Sequence, residues 1–288
     1  MSKTAPGMRS GAILILGATG SFGSLLAHRL ARHPDSHLIL AARHNNKLAT
    51  LAAELIAHYP DALIKTVCVN APKGLAELLS SLKPVVLVDA SGPFQSQDYQ
   101  TARYCIAAGV HYVDISDSRD FVASFATLNS AAEAAGIMAV SGASSVPGLS
   151  SAVVAHLNSR NNQIDRISIS IMPGNRAPRG LSVIQAILSY VGKPIPTLVR
   201  GQWIWRIGWQ NLQRRHIKDM GWRWVSACDV PDLKLLPAAY PQVRTVEFHA
   251  GLEVPFLHLG LWLLSWPVRW GLVHSLVLLQ AGSNLLAT

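Results

Sequence analysis

The sequence predicts an α/β fold, with a doubly wound parallel sheet over residues 11–150 and a smaller α+β domain over 151–288. Three observations predict it. Short, continuously apolar runs alternate with segments of helical periodicity through the first half, as βαβ units on a parallel sheet require. A glycine-rich turn follows the first of these runs directly. Near residue 150 the composition shifts, and all eight tryptophans lie between Trp203 and Trp270.

Each element follows from its pattern. Ala12–Leu16 (AILIL) is apolar throughout and ends in glycine, as a strand buried on both faces does. A helical pattern then runs through Leu25, Leu26 and Leu30. His37–Ala42 is the second strand and Lys47–His58 the second helix. Val67–Val69 is the third strand, Leu75–Leu82 a helix, and Pro84–Val88 the fourth strand. Asp98–Ala108 is helical, His111–Ile115 is the fifth strand, Phe121–Ala135 a helix and Ile137–Val140 the sixth strand. In the second half Ile167–Ile171 alternates as a half-buried strand should, and Leu181–Tyr190 has helical spacing. Val254–Leu279 is almost wholly apolar apart from Pro255, Pro267 and Arg269, and predicts two helices, Phe256–Leu264 and Trp266–Leu279.

Composition narrows the function classes. Of 288 residues, half are hydrophobic and 14% charged, which excludes a disordered chain, a coiled coil and a collagen-like repeat. Three cysteines (Cys68, Cys105, Cys228) form no close pair, so a reducing compartment, the cytoplasm, is expected and a disulfide framework is not. Residues 1–10 are polar, read as a flexible tail, and lack an apolar signal core. The second half holds 14 basic and 6 acidic residues and so accounts for +8 of the net +9. Such an excess attracts nucleic acid, anionic lipid or an acidic substrate, but no basic cluster interleaved with aromatics marks a nucleic-acid module.

The turn Gly17-Ala18-Thr19-Gly20-Ser21-Phe22-Gly23 lies between the first strand and the first helix. There, glycines let backbone N–H groups approach a pyrophosphate, and the helix N-terminus adds its positive dipole end. At the first βα junction of a long series this spacing marks a Rossmann dinucleotide site; the alternative is a tight turn without a ligand. At the end of the second strand, where NAD-binding versions carry Asp or Glu, this sequence places Arg43, with Lys47 one turn on. A guanidinium there pairs with a 2′-phosphate, so NADP(H) is expected over NAD(H); the alternative is a solvated strand-end cation. Ser91-Gly92-Pro93-Phe94, after the fourth strand, suits a loop over the nicotinamide, or a plain turn. Asn70, after the third strand, fits an adenine contact or an ordinary loop position.

Catalytic signatures are absent. None of the six tyrosines has a lysine four residues on, Cys105 falls inside a helix, and the histidines show no H-x-x-x-H or H-x-x-E-H pairing, so no metal site is expected. Tyr99, Asp117 and Arg179 are candidates for handling a substrate; the alternatives are a surface helix residue, a strand-end cap and a solvated loop cation.

The residues Gly17–Gly23, Ala41-Ala42-Arg43, Ser91–Asp117 (SGPFQSQDYQTARYCIAAGVHYVDISD) and Ser141–Leu149 (SGASSVPGL) resemble the saccharopine dehydrogenase-like NADP-binding proteins. Pro173-Gly174-Asn175, Pro178-Arg179-Gly180 and Cys228–Leu233 extend the resemblance into the second half. It implies a Rossmann domain, then a substrate or dimerisation domain, a homodimer, and an NAD(P)-linked oxidoreductase acting on an amino-acid conjugate or a lipid-like substrate. The resemblance also implies further strands after the substrate domain and a segment returning to the Rossmann sheet, so this chain is expected to be either a shortened member or a truncated gene product. Two other functions stay open: a non-catalytic NADP(H)-binding module, as a redox sensor or assembly partner, and peripheral membrane contact through residues 254–280, with Trp262, Trp266 and Trp270 at headgroup level. A buried core or dimer-interface helix pair is the alternative to the latter.

Overall fold

The structure, a computed structural model, describes residues 11–159, 163–177 and 180–273. The chain divides into two compact units. One runs to Ser116 and resumes over Ser124–Ala143; the other comprises Asp117–Ala123 and the chain from Ser144 onward.

The first unit strings together β1 (Ile13–Leu16), α1 (Ser21–Ala31), β2 (His37–Ala42), α2 (Asn45–His58), β3 (Leu63–Cys68), α3 (Leu75–Leu82), β4 (Val86–Asp89), α4 (Gln100–Ala108) and β5 (His111–Asp114). After α5 (Arg119–Ser124), the unit closes with α6 (Asn129–Ala134) and β6 (Ala139–Val140). Its six strands pair in parallel in the order β3-β2-β1-β4-β5-β6. The strand order reverses between β1 and β4, so a crevice opens there, outside the carboxyl ends of the strands.

Burial explains the apolar runs. Leu14, Ile15, Leu40, Ala41 and Leu87 are inaccessible to solvent, and each large aliphatic side chain so buried stabilises the fold by about 1.5–3 kcal/mol. Helix α2 seats Leu48, Leu51 and Leu55 on the sheet. Helix α1 instead buries Gly23, Ala27 and Ala31, one per turn. These small residues bring its axis close to the strands and fix its first turn over the end of β1.

Three elements differ from expectation. β3 begins at Leu63 rather than Val67, because it is an edge strand whose exposed Lys65 interrupts the apolar run. The helix expected over Phe121–Ala135 is broken into α5, a 3₁₀ turn at Phe125–Leu128 and α6. The tighter turn eclipses positions three apart and so buries Phe125 with Leu128, and the Thr127 hydroxyl donates to the Ser124 carbonyl (2.8 Å). The two helices expected at the end are one through Ser265, described below; the part of that prediction from residue 274 on lies outside the described residues.

The second unit contains α7 (Ser150–Asn158), β7 (Arg166–Ile171), α8 (Leu181–Ser189), β8 (Pro194–Val199), β9 (Gln202–Ile207), β10 (Gln213–Ile217), β11 (Gly221–Ala227), α9 (Asp232–Ala239), β12 (Thr245–Ala250) and α10 (Pro255–Arg269). Strands run in the order β10-β11-β12-β8-β9 with antiparallel pairing, and β7 joins the other side of β12 in parallel. One face of this sheet carries Ile167, Leu198, Val246 and Phe248 into a core with Val154, Leu233 and Leu236 of α7 and α9. The opposite alternation places Arg166, Arg206 and Glu247 together, with an Arg166–Glu247 ion pair at 2.6 Å and Arg206 at 3.8 Å from the same carboxylate. Helix α10 packs on β11, where its buried His258 meets the Ser226 hydroxyl at 3.0 Å; burial pushes that imidazole down to about 4. Pro267 lies in the last turn of α10, where a missing N–H costs only one bond, so the helix continues across it.

Candidate functional site

The parallel register brings five strand-end loops of the first unit to one edge. The loop after β1 is anchored by the N–H groups of Gly17 and Ala18, which both donate to the Ala41 carbonyl (2.8 and 3.1 Å), and by Gly20, which donates to the Gly17 carbonyl (2.9 Å). Two glycines are required outright. Gly17 has φ +78°, and a Cβ there would lie 2.8 Å from the Ala90 backbone; a Cβ on Gly23 would lie 2.2 Å from the Gly17 carbonyl oxygen. The loop is therefore pressed between the chain after β4 and the first turn of α1.

This arrangement leaves a set of donors. No backbone acceptor among the described residues takes the N–H of Thr19, Ser21, Phe22 or Gly23, at the first turn of α1, and Thr19, Ser21 and Phe22 are at least partly exposed. Grouped N–H donors at a helix N-terminus, with the positive end of the helix dipole, bind an anion. The cradle fits a dinucleotide pyrophosphate, because both close approaches that a side chain would block are filled by glycine.

Arg43 stands exposed at the end of β2, and Lys47 is exposed in the first turn of α2, which holds no acidic residue. Lys47 lines an open hollow of about 260 Å³ together with Thr19, Ser24, Thr50, Leu51 and Glu54. Glu54, the acid in this hollow, is engaged by His28 at 3.3 Å. The sequence reading missed Thr50 and Glu54; they lie one and two turns after Lys47 on α2. Asn70 is exposed two residues beyond β3.

After β4 the Ser91 hydroxyl and N–H both donate to Asp89 Oδ1 (2.5 and 2.9 Å). Gly92 and Pro93 are partly exposed, and Phe94 is buried with its ring 3.4 Å from where a Gly92 Cβ would lie. The loop therefore offers backbone at Gly92-Pro93 rather than the Ser91 hydroxyl or the Phe94 ring. Asp89 is buried, which pushes its carboxyl up to about 6 against the opposing effect of Ser91, with the Asp114 charge a smaller contribution upward. Asp114, its partner in register on β5, accepts from the N–H of Ser116 (2.9 Å) and Gly142 (2.9 Å) and from the Ser141 hydroxyl (3.0 Å). Burial raises it as well. These two acids escaped the sequence reading. The signal that could have found them is a repeated Asp-x-Ser at the ends of two apolar runs.

Residues 13–140 match the model of the saccharopine dehydrogenase NADP-binding domain. The match runs from the first strand of the parallel sheet to the last. The matched stretch includes the sequence positions from Gly17 to Phe94 that are expected to meet a cofactor. Among solved structures, apo histidine-tagged saccharopine dehydrogenase (L-Glu forming) from Saccharomyces cerevisiae aligns at TM-score 0.62 and 15% identity, over 84% of this chain and 55% of the yeast chain. The likeness is one of fold, and the chain spans just over half the length of that relative. A putative oxidoreductase, YvaA, from Bacillus subtilis aligns at TM-score 0.43 and 14% identity, over 85% of this chain and 65% of its own. No curated protein matches this chain by sequence.

Of the three substrate candidates, Tyr99 and Asp117 lie among the described residues. Tyr99, just before α4, packs edge-on against Phe125 (5.6 Å) in the first unit. Asp117 belongs to the second unit, where its charge acts on Tyr190 and Cys228. Arg179 lies outside the described residues. The same part of the second unit holds a buried Arg119 whose Nε is 2.7 Å from Asp229 Oδ1, and a Tyr190 hydroxyl 3.2 Å from Cys228 Sγ. Burial pushes the Cys228 thiol up to about 12, so it is no nucleophile as it stands. Among the described residues no cluster of His, Cys, Asp and Glu could hold a metal ion, and no helix is long and apolar enough to cross a membrane.

Proposed function

We propose that the chain is an NADP(H)-dependent oxidoreductase of the saccharopine dehydrogenase-like group, passing a hydride to or from a small-molecule or lipid-like substrate. The observation that carries this reading is the set of N–H donors without backbone acceptors at the α1 N-terminus, beside Arg43 and Lys47 on an α2 whose first turn has no acid. Gly17–Gly23 hold the pyrophosphate, and the two cations take the 2′-phosphate, which an NAD-type carboxylate would repel. Asn70 faces the adenine, and the Gly92-Pro93 backbone lies over the nicotinamide ring. The cofactor supplies the hydride chemistry; the chain binds it, orients it and excludes water. Tyr99, Asp117 and Arg179 handle the substrate.

The test follows the oxidation of NADPH by its absorbance against a panel of carbonyl, imine and enoyl compounds. Oxidation that Gly23→Ala abolishes supports the reading. NADPH binding without turnover on any of them points to a binding module instead, and absence of nucleotide binding rejects both.

A further inference from the structure

Helix α10 buries one face and leaves another bare. His258 and Ser265 point into the unit, and Leu261 and Leu264 join a core around Trp209 and Val191. On the outer side Phe256, Leu263 and Trp270, spaced seven residues apart, are 73%, 61% and 65% exposed, and Leu272 beyond the helix is 73% exposed. Seven-residue spacing keeps these side chains on one stripe along the helix. Hydrophobic side chains this large and this exposed, in line, mark a surface built to meet something apolar.

The charges around the stripe select the partner. No acidic residue lies between Pro255 and the last described residue, Val273, while Arg269 sits at the helix end with its guanidinium over the Trp266 ring at 5.9 Å. Trp262, Trp266 and Trp270 form a continuous ladder of ring contacts (6.2 and 5.6 Å). The strand beneath, β11, belongs to a hairpin that pairs Arg214 with Trp224 on the face from which Ser226 meets α10, and its turn carries Lys218 and Asp219, while Arg215 and Arg223 alternate to the other face. The Arg214 guanidinium lies over both Trp222 and Trp224 (5.2 and 5.3 Å), and Trp222 is itself more than half exposed. Tryptophan with arginine beside an apolar stripe is the chemistry of a lipid headgroup boundary, and the excess of basic charge complements anionic headgroups.

We propose that the outer stripe of α10, with the basic β10–β11 hairpin, seats the second unit on an anionic phospholipid surface. The stripe then lies in the headgroup region, parallel to the membrane plane, and the helix stays folded on its own unit as described.

The test is co-sedimentation of the full chain with vesicles of phosphatidylcholine alone and of phosphatidylcholine with phosphatidylserine, beside the triple variant Phe256→Glu, Leu263→Glu and Trp270→Glu. The expected result is binding to the anionic vesicles that weakens at least tenfold at high salt and at least tenfold in the variant. The thermal midpoint of the variant should match the parent, because each changed side chain is more than half exposed. An unbound parent overturns the proposal, as does a folded variant that binds equally well. A parent that ignores vesicles but sediments as a dimer, which the variant dissociates, overturns it in favour of a second copy on the stripe.

Discussion

Asp89 and Asp114 stand opposite one another in register on β4 and β5, and each Oδ1 accepts the N–H of the serine two residues on at 2.9 Å. The pair shapes two adjacent loops of the cofactor edge by the same device. Each acid caps the turn that ends its own strand, so the chains after β4 and β5 leave the sheet in parallel. Both carboxyls are buried.

Stability of the first unit should therefore fall as pH rises. A carboxyl held at about 6 binds its proton more tightly in the folded chain than in the unfolded one, where its value is near 3.8. Between those values the native state holds more protons, so the fold loses stability through pH 4 to 6, on the order of 3 kcal/mol by the top of the window. Asp89→Asn should flatten that slope. Urea unfolding of both proteins at pH 4.5 and 7.5 checks it; parallel pH profiles would refute the assignment.

Gly23→Ala should cost both stability and nucleotide affinity. The added carbon would overlap the Gly17 carbonyl oxygen, which here accepts the Gly20 N–H, so the loop must shift and the donor set with it. We expect at least a tenfold loss of NADPH affinity and a destabilisation of about 1–3 kcal/mol. The control is Gly109→Asn, at a helix end where φ is +66° and nothing lies within 4 Å of the missing Cβ; it should bind as the parent does.

Much of this was legible in the sequence, and the rest was hidden for identifiable reasons. β1 and β2 are buried on both faces, so AILIL and HLILAA announce themselves, and the position of the glycine loop directly after AILIL marks it as the first βα turn. The strands of the second unit are two-faced: β10 reads Gln213-Arg214-Arg215-His216-Ile217, with no apolar run to show that it pairs with the tryptophan-rich β11. In the candidate site, Gly17–Gly23, Arg43 and Lys47 were visible because their chemistry is local. Arg119 with Asp229, and Tyr190 with Cys228, join positions 110 and 38 residues apart in sequence, which no spacing rule reaches.

Breaking the Arg119–Asp229 pair should destabilise the second unit. Arg119 is buried and burial already lowers its basicity, so removing its partner strands a cation. Asp229 is about one-third exposed, which tempers the loss, so Asp229→Ala should cost about 1–3 kcal/mol rather than the larger penalty of a fully enclosed pair. Replacing both residues by methionine and leucine should restore part of it. Chemical denaturation of the two single variants and the double variant measures the coupling.

The cysteines should differ sharply towards alkylation. Cys68 is exposed, whereas burial pushes Cys105 and Cys228 up to about 12. Iodoacetamide at pH 8 should label Cys68 in the native chain and all three cysteines only after unfolding, as read by intact mass. Native labelling of Cys228 would contradict its enclosure beside Tyr190.

Binding of NADP(H) by the first unit, through its glycine cradle with Arg43 on the 2′-phosphate, is measured by calorimetric titration of the parent and Arg43→Ala with NADPH and NADH. The parent should bind NADPH at least tenfold more tightly than NADH, a difference of at least about 1.4 kcal/mol. The substitution should remove most of that preference and leave NADH affinity unchanged. Equal affinity of the parent for the two nucleotides, or a preference that survives the loss of Arg43, would contradict it.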